Sequence, residues 1–175
     1  MERCDCGFVW VEVEPGTIGV RLIEGAGRIA ERLLGTGELI GSRPSASQWS
    51  PLEYGGHVRD VLLHLRDRVV IALVEENPTF KPLYREERVA LGLYRRDRAD
   101  NVAPELTMAA NLFARTFAGL DARQLERPCQ YAYPTLATRS VLWMAQQTLH
   151  EVEHHERDVA SGIDTLQRRT SATQK

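Results

Sequence analysis

The sequence predicts an all-α protein whose single domain is a four-helix bundle. Four long segments place apolar residues at the three- and four-residue spacing of a helix, and loops rich in Gly, Pro and Ser separate them. Only residues 8–13 show the alternation of a strand. With 175 residues, 43% of them hydrophobic, the chain can bury one sizeable core. Four amphipathic helices bury their apolar faces against one another, which predicts the bundle.

The first predicted helix runs from about residue 17 to residue 34. It follows a Pro-Gly pair, and two internal glycines weaken it. Its apolar stripe at helical spacing consists of Ile18, Leu22, Ile29 and Leu33.

The second helix has the clearest start signal in the chain and is predicted from residue 51 to about residue 75. Ser50 suits the N-cap, Pro51 suits the first helical position, and Glu53 completes a capping box. Gly55-Gly56 is unfavourable inside a helix and indicates either a close backbone approach or open space beside His57.

The rest of the chain completes the bundle. The predicted elements are a short helix over 86–94, a helix over 102–118, a loop or short extended hairpin over 126–138 and the last helix over 139–162. The polar tail at 166–175 is predicted to be disordered, so the domain is expected to span residues 1–165.

The composition excludes several functional classes. A net charge of −2 gives no basic field, so no nucleic-acid partner is expected. No apolar run reaches the roughly 18 residues of a membrane span, and the N-terminus lacks the apolar core of a signal peptide. Three cysteines, an odd number, do not make a disulfide framework. We therefore expect a cytoplasmic protein that does not bind membranes.

Cys4 and Cys6 form a Cys-x-Cys pair near the N-terminus. Paired thiolates bind soft metals, but a zinc ribbon needs a second pair and only Cys129 remains. The sequence therefore favours a flexible or packed-down terminus over a metal role for these cysteines.

The last helix carries His150 and His154, one turn apart. Their Cβ atoms lie roughly 5–6 Å apart on a helix, so both imidazoles can point at one metal. The pair lies nearly opposite the centre of the apolar arc, which allows an open site in a groove or two plain surface histidines. His155 lies about 100° further round, at the edge of the arc, and is predicted to be a core or boundary histidine.

Residues 150–154 also match the His-Glu-x-x-His motif of zinc proteases, in which Glu151 would act as general base. The extended motif needs a third histidine six residues after His154, where the chain has Ala160, and no glutamate follows Glu156. The protease interpretation is therefore disfavoured.

A longer combination of motifs points to a family. Residues 49–57 read Trp-Ser-Pro-Leu-Glu-Tyr-Gly-Gly-His, and the last helix adds His150-x-x-x-His154-His155. In order and spacing this combination resembles the DinB/YfiT-like family of small bundle metalloproteins, which is related to thiol-dependent S-transferases and mycothiol-dependent maleylpyruvate isomerase. The resemblance implies a bundle with one long crossover connection. It also implies a metal site in which His57 joins His150 and His154 as the third ligand.

The resemblance further implies a divalent metal, a small-molecule substrate and a low-molecular-weight thiol such as mycothiol or bacillithiol. Zinc is the expected metal, and nickel, iron and manganese stay open by ligand type. Three neutral imidazoles leave coordination positions for water or substrate, which is typical of a catalytic site. The implied activity is a thiol-dependent S-transfer, an isomerisation or a related detoxifying reaction.

Two more residues share the face of His150 and His154. Arg157 and Trp143 are the candidate substrate-binding residues: Arg157 could steer an anionic substrate, although a solvated helix-end arginine is the favoured interpretation. No catalytic side chain is assigned. The alternative function is a non-enzymatic bundle with a structural or vestigial metal site that acts through a protein partner. The sequence also leaves a homodimer open.

Overall fold

The four segments with helical periodicity form four long helices in the structure, a computed structural model that describes residues 2–132 and 135–173. The predicted all-α bundle is therefore confirmed. Two short helices and two 3-10 turns, at Trp10–Glu12 and Gly37–Gly41, join the long ones. In chain order the helices are α1 (Pro15–Gly35), α2 (Pro51–Val74), α3 (Arg85–Ala90), α4 (Ala99–Ala118), α5 (Ala122–Leu125) and α6 (Val141–Thr173).

Long helices that follow each other in the sequence are not always neighbours in the bundle. Both α1 and α2 pack mainly against α4 and α6, so α1 and α2 face each other diagonally across the bundle. The chain therefore crosses one end of the bundle between α1 and α2. This agrees with the crossover connection that the family resemblance implies, and α4 and α6 also face each other diagonally.

The apolar stripe of α1 is buried as predicted, with Ile18, Leu22 and Ile29 fully buried. The glycines of α1 have separate roles. A Cβ at Gly25 would lie 2.7 Å from Val152 Cγ1, so this glycine allows α1 to approach α6 closely. Gly27 faces open space.

The start of α2 has the predicted capping box. Ser50 accepts a hydrogen bond from the Glu53 backbone N–H at 3.2 Å, and the Glu53 side chain accepts one from the Ser50 N–H at 2.9 Å. A Cβ at Gly55 would lie 2.6 Å from Leu33 Cδ1, and one at Gly56 would lie 2.8 Å from Tyr94 Cδ1. Of the two explanations predicted for these glycines, the structure selects the close approach.

The segments between the long helices also form a small three-stranded sheet. Its strands are β1 (Thr79–Phe80), β2 (Pro128–Tyr131) and β3 (Ala137–Ser140), with β1 parallel and β3 antiparallel to β2. β2 and β3 confirm the hairpin predicted over 126–138. Residues 8–13 do not form a strand beyond an isolated bridge at Val9, because the chain turns at Trp10–Glu12 and buries the Phe8 side chain.

The last helix is longer than predicted. It continues past Gly162 to Thr173, so the prediction of a disordered tail from residue 166 is wrong as far as residue 173, and residues 174 and 175 lie outside the described part. Gly162 does not end the helix because its face packs on Pro44 and Pro51. Leu166, in the added part, is buried. Across the described residues, no helix combines the length and apolar character that a membrane crossing requires.

Candidate metal centre

Three ionisable side chains from α2 and α6 converge inside the bundle. Glu151 Oε2 lies 3.4 Å from His57 Nε2 and 3.3 Å from His155 Nε2. One donor atom from each residue lies within 4.8 Å of the other two. Only 1% of His57 and 6% of His155 is exposed. Glu151 and His155 are one turn apart on α6, so a single helical face presents both to His57.

The fold fixes each of these side chains separately. The capping box sets the start of α2, and the Trp49 ring packs at 5.4 Å on the His57 ring. Gln147 donates a hydrogen bond to Glu151 Oε1 at 2.7 Å, which leaves Oε2 for the two imidazoles. His155 packs against the Tyr54 ring at 5.2 Å. The three groups are therefore oriented before any ligand arrives.

Charges in this cluster are strongly coupled. Burial alone would raise the pKa of Glu151, but hydrogen bonds from His155 and His57 hold that pKa well below its usual range. Burial alone would lower the pKa of His155, yet the carboxylates of Asp158 and Glu151 raise it to about 9. The pKa of His57 is lowered, chiefly by burial. At neutral pH the metal-free cluster thus holds an anionic Glu151, a cationic His155 and a neutral His57.

The donor set fits a divalent metal. Two imidazole nitrogens and one carboxylate oxygen are ligands that zinc and other first-row metals accept. His155 Nδ1 lies 2.8 Å from Asp158 Oδ2, and a carboxylate in this position orients a metal-binding imidazole so that Nε2 faces the metal. A metal would take the place of the proton on His155 Nε2.

The predicted ligands His57, His150 and His154 do not come together in the described part of the chain. His57 meets Glu151 and His155, whereas His150 and His154 lie with Cys4 and Cys6 on the neighbouring face of α6. One residue along a helix turns the side chain by about 100°, which is enough to direct it to a different neighbour. His155, predicted as a core or boundary histidine, is buried, but its Nε2 points at a carboxylate.

The sequence contained the evidence for the second pair. Glu151 and His155 have the same four-residue spacing as His150 and His154, and His155 was already placed at the edge of the apolar arc. The spacing and the edge position make Glu151 and His155 a second candidate pair, but they do not decide which of the two pairs faces α2.

The predicted substrate residues Trp143 and Arg157 hold the N-terminal segment instead. Trp143 Nε1 donates to Glu2 Oε2 at 3.1 Å, and the guanidinium of Arg139 lies 4.4 Å from the centre of the same ring. Arg157 Nη1 donates to the Cys6 carbonyl oxygen at 2.6 Å. Neither side chain lines the cavity beside His57 and Glu151, because both lie on the face of α6 that carries His150 and His154.

A cavity of about 330 Å³ opens beside the cluster. His57 and Glu151 line it directly, together with side chains of α2, the segment 81–87 and the end of β2. The apolar part of its wall consists of Val61, Leu65, Pro82 and Leu83. A molecule in this cavity would lie next to the atoms that could hold a metal.

Arg68 supplies a buried positive charge to the same cavity. Only 5% of the residue is exposed, and its guanidinium lies 5.3 Å from the Phe80 ring centre and 5.2 Å from that of Tyr131. It also donates to the Lys81 carbonyl oxygen and lies 2.8 Å from His64 Nε2. No carboxylate in residues 2–132 or 135–173 forms an ion pair with it. Because a buried unpaired cation is unfavourable, Arg68 favours an anionic group beside it, and Glu86, Glu87 and Glu151 also line the same cavity.

Comparisons with known proteins identify the family and agree with the fold. A family model described as the DinB superfamily matches residues 28–159. YfiT from Bacillus subtilis, described as a probable metal-dependent hydrolase with an unusual four-helix bundle topology, is similar in fold, with a TM-score of 0.70 and 14% identity over 87% of each chain. A mycothiol-dependent maleylpyruvate isomerase gives a TM-score of 0.67 and 15% identity over 87% of this chain, which spans 63% of that enzyme. No curated protein matches the sequence.

Proposed function

The chain belongs to the DinB superfamily, and on that premise we propose that it is a divalent-metal-dependent enzyme acting on a small anionic molecule with a low-molecular-weight thiol. S-transfer or isomerisation is the proposed reaction class. The observation that carries the proposal is the convergence of His57, Glu151 and His155 beside a cavity that His57 and Glu151 line. The fold relatives, one described as metal-dependent and one as mycothiol-dependent, support it.

We assign the metal to His57, Glu151 and His155, with zinc expected first and nickel, iron or manganese as alternatives. When bound, such an ion supplies Lewis acidity, which lowers the pKa of a thiol or a water. Three protein donors leave room for a substrate atom, as in catalytic sites. The set His57, His150 and His154 is the competing assignment.

The side chains around this site have separate tasks. Asp158 holds the Nδ1 proton of His155 and so fixes the ring for ligation. Gln147 holds one oxygen of Glu151, and the apolar cavity wall keeps bulk water from the reacting atoms. Arg68 would anchor a carboxylate or similar anion of the substrate through its guanidinium. The proposal places the protein in the reducing cytoplasm, in keeping with its three free cysteines.

Cobalt substitution tests the thiol part of the proposal without a known substrate. The protein is prepared as Cys4→Ser/Cys6→Ser, so that a sulfur-to-cobalt charge-transfer band can arise only from added thiol. We expect mycothiol or bacillithiol to produce the band, and the further change His155→Ala to remove it. A cobalt-loaded protein that shows no band with either thiol would overturn the thiol-dependent reaction.

Turnover then tests the role of Arg68. The substrate is any electrophilic carboxylate that the enzyme joins to the thiol or isomerises. For such a substrate, Arg68→Met should raise KM at least about tenfold, because truncating one partner of a buried charge pair costs roughly 2–5 kcal/mol. Arg66→Met, on the same helix but half exposed, is the control and should leave KM unchanged. The non-enzymatic alternative predicts no metal-dependent turnover and an unchanged partner interaction after His155→Ala.

A further inference from the structure

The Cys-x-Cys pair at the N-terminus lies against the last helix in three dimensions. One sulfur from each of Cys4 and Cys6 and one nitrogen from each of His150 and His154 all lie within 4.8 Å of one another. Cys4 Sγ lies 3.9 Å from His154 Nδ1, and the two imidazole centres are 5.3 Å apart. The second pair of ligands that a zinc ribbon would take from cysteines is available here from histidines.

We propose that Cys4, Cys6, His150 and His154 form a second metal site, which binds one zinc ion and fastens the N-terminal segment to α6. Two thiolates and two imidazoles make the Cys₂His₂ set of structural zinc sites. With bonds of about 2.3 Å to sulfur and 2.0–2.1 Å to nitrogen, neighbouring ligand atoms of such a tetrahedron lie about 3.3–3.8 Å apart. The observed 3.9 Å between sulfur and nitrogen needs an adjustment of only a few tenths of an ångström to reach this range.

His150 points to a ligand independently of the cysteines. Both of its ring nitrogens are buried, and neither has a hydrogen-bond partner among the described residues. The nearest charged atom, Glu151 Oε1, lies 3.9 Å from Nδ1, which is too far for a hydrogen bond. Buried polar atoms of this kind are rare in folded proteins and call for an explanation such as an ion or a water. A zinc ion held jointly with the two sulfurs would satisfy one of these nitrogens.

The loop at residues 4–8 is shaped to present two sulfurs together. Cys4 N–H donates to the Phe8 carbonyl at 2.9 Å, and Gly7 N–H donates to the Cys4 carbonyl at 2.8 Å. Gly7 has φ +90, a value that disfavours any side chain, so the tight turn depends on glycine there. The turn closes just beyond Cys6, as expected of a loop that directs both sulfurs to one side.

Several contacts already position this segment on α6. The rings of Phe8 and Trp10 lie 5.1 and 4.7 Å from the His150 ring. Trp10 Nε1 donates to Gln147 Oε1 at 3.1 Å, and Arg157 donates to the Cys6 carbonyl. The segment is therefore placed by packing and hydrogen bonds, and the ion would complete an existing arrangement.

The two sites would be distinct although they share a helix. None of the four residues lines the cavity beside His57. Four protein ligands close a tetrahedral zinc site and leave no position for substrate, so the second site is structural. Asp158 lies between the two, 2.8 Å from His155 Nδ1 and 3.6 Å from His154 Nε2. It orients His155 through a hydrogen bond and lies beyond hydrogen-bond distance of His154.

Cobalt spectroscopy and zinc content test the second site in the full-length reduced protein. After removal of metal with a chelator, cobalt titration of the unchanged protein should give a sulfur-to-cobalt charge-transfer band and the visible bands of tetrahedral cobalt, with no thiol added. Cys4→Ser/Cys6→Ser should abolish the sulfur band and lower the zinc content by one equivalent. His154→Ala should weaken the band.

Two controls separate this site from the proposed active site. Cys129→Ala removes a buried core cysteine whose thiol donates to Met144 Sδ, and should leave the band unchanged. His155→Ala should remove the other ion and keep the band. Persistence of the sulfur band in Cys4→Ser/Cys6→Ser, or its absence from the cobalt-loaded unchanged protein, would overturn the second site, and neither result would bear on His57, Glu151 and His155.

Discussion

Two neighbouring faces of α6 carry two ligand sets that differ in almost every property. Glu151 and His155 point into the bundle and meet His57 of α2, and Glu151 and His57 border a cavity. His150 and His154 point to the N-terminal segment and meet two sulfurs. Only one residue of sequence, about 100° of helix rotation, separates the two faces. The six residues 150–155, with three histidines, can therefore serve two different purposes.

The donor atoms indicate which face suits which purpose. Three nitrogen and oxygen donors beside a cavity leave coordination positions open for a reacting molecule. Two sulfurs and two nitrogens on the other face complete a tetrahedron and favour a structural ion. We therefore propose catalysis at the site of His57, Glu151 and His155, which has three protein ligands. The site of Cys4, Cys6, His150 and His154, which has four, is proposed to stabilise the N-terminal segment on α6.

The largest expected effect comes from removing the anionic ligand. Glu151→Gln should weaken zinc binding at the His57 site by more than about 100-fold, since even outer groups around a metal contribute 10–100-fold. A competitive zinc titration against a chromophoric chelator measures this loss of affinity. Glu153→Gln, two residues on, is the matched control because Glu153 pairs with Arg21 away from both sites. Equal losses in both variants would show that general charge, and not ligation, sets the affinity.

A second prediction concerns pH in the metal-free protein. The pKa of His155 is raised from 6.5 to about 9, so the folded state holds this proton more tightly than the unfolded chain does. The resulting stabilisation is complete below pH 6.5 and is lost as the pH rises through about 9, a change on the order of 3 kcal/mol. Urea unfolding of the apo protein at pH 6.5 and pH 9 checks it.

The control for the pH experiment is His155→Gln, which removes the titrating group. This variant should show little change in unfolding free energy between the two pH values. If the decrease persists in the variant, another group causes it and the charge state assigned to the cluster does not hold.

Asp158→Asn sharpens the comparison because this carboxylate lies between both sites. It accepts a hydrogen bond from His155 at 2.8 Å but lies 3.6 Å from His154, so the His57 site should lose about 10–100-fold in zinc affinity and the cysteine site less. Asp164→Asn, exposed further along α6, should change neither affinity. A larger loss at the cysteine site would reverse the assignment of Asp158.

The smallest expected effect concerns the close packing of Gly56, next to His57, against Tyr94. Gly56→Ala would bring a Cβ to 2.8 Å from the Tyr94 ring, and overpacking of this kind costs about 1–3 kcal/mol. Gly27→Ala, in α1 with open space around it, should instead stabilise by up to about 1 kcal/mol. Thermal unfolding of both variants measures the difference, and destabilisation by Gly27→Ala would contradict the packing described here.

Local sequence rules predicted the features that depend on neighbours along the chain. The capping box at Ser50 and Glu53, the glycines beside His57 and the stripe of α1 were all predictable from spacing and residue type. Between α5 and α6 the sequence left a loop or a short hairpin open, and the structure forms the β2–β3 pair there. These features placed His57 near the start of α2, where the structure buries it.

The features that depend on tertiary packing were not predictable in the same way. Which of two ligand pairs on α6 faces α2 depends on the rotation of α6 in the bundle, and periodicity fixes this to no better than one residue. The approach of Cys4 to His154 joins residues 150 positions apart, and no local pattern encodes it. Likewise, the helical end of α6 is stabilised by burial of Leu166 rather than by its own polar composition.

The most direct test measures metal content in the Cys4→Ser/Cys6→Ser background, where only the proposed active site remains. In that background His155→Ala should lose the remaining ion, while His154→Ala should keep it. The opposite result, with the ion kept by His155→Ala and lost by His154→Ala, would return the ligands to His57, His150 and His154 and contradict the central claim.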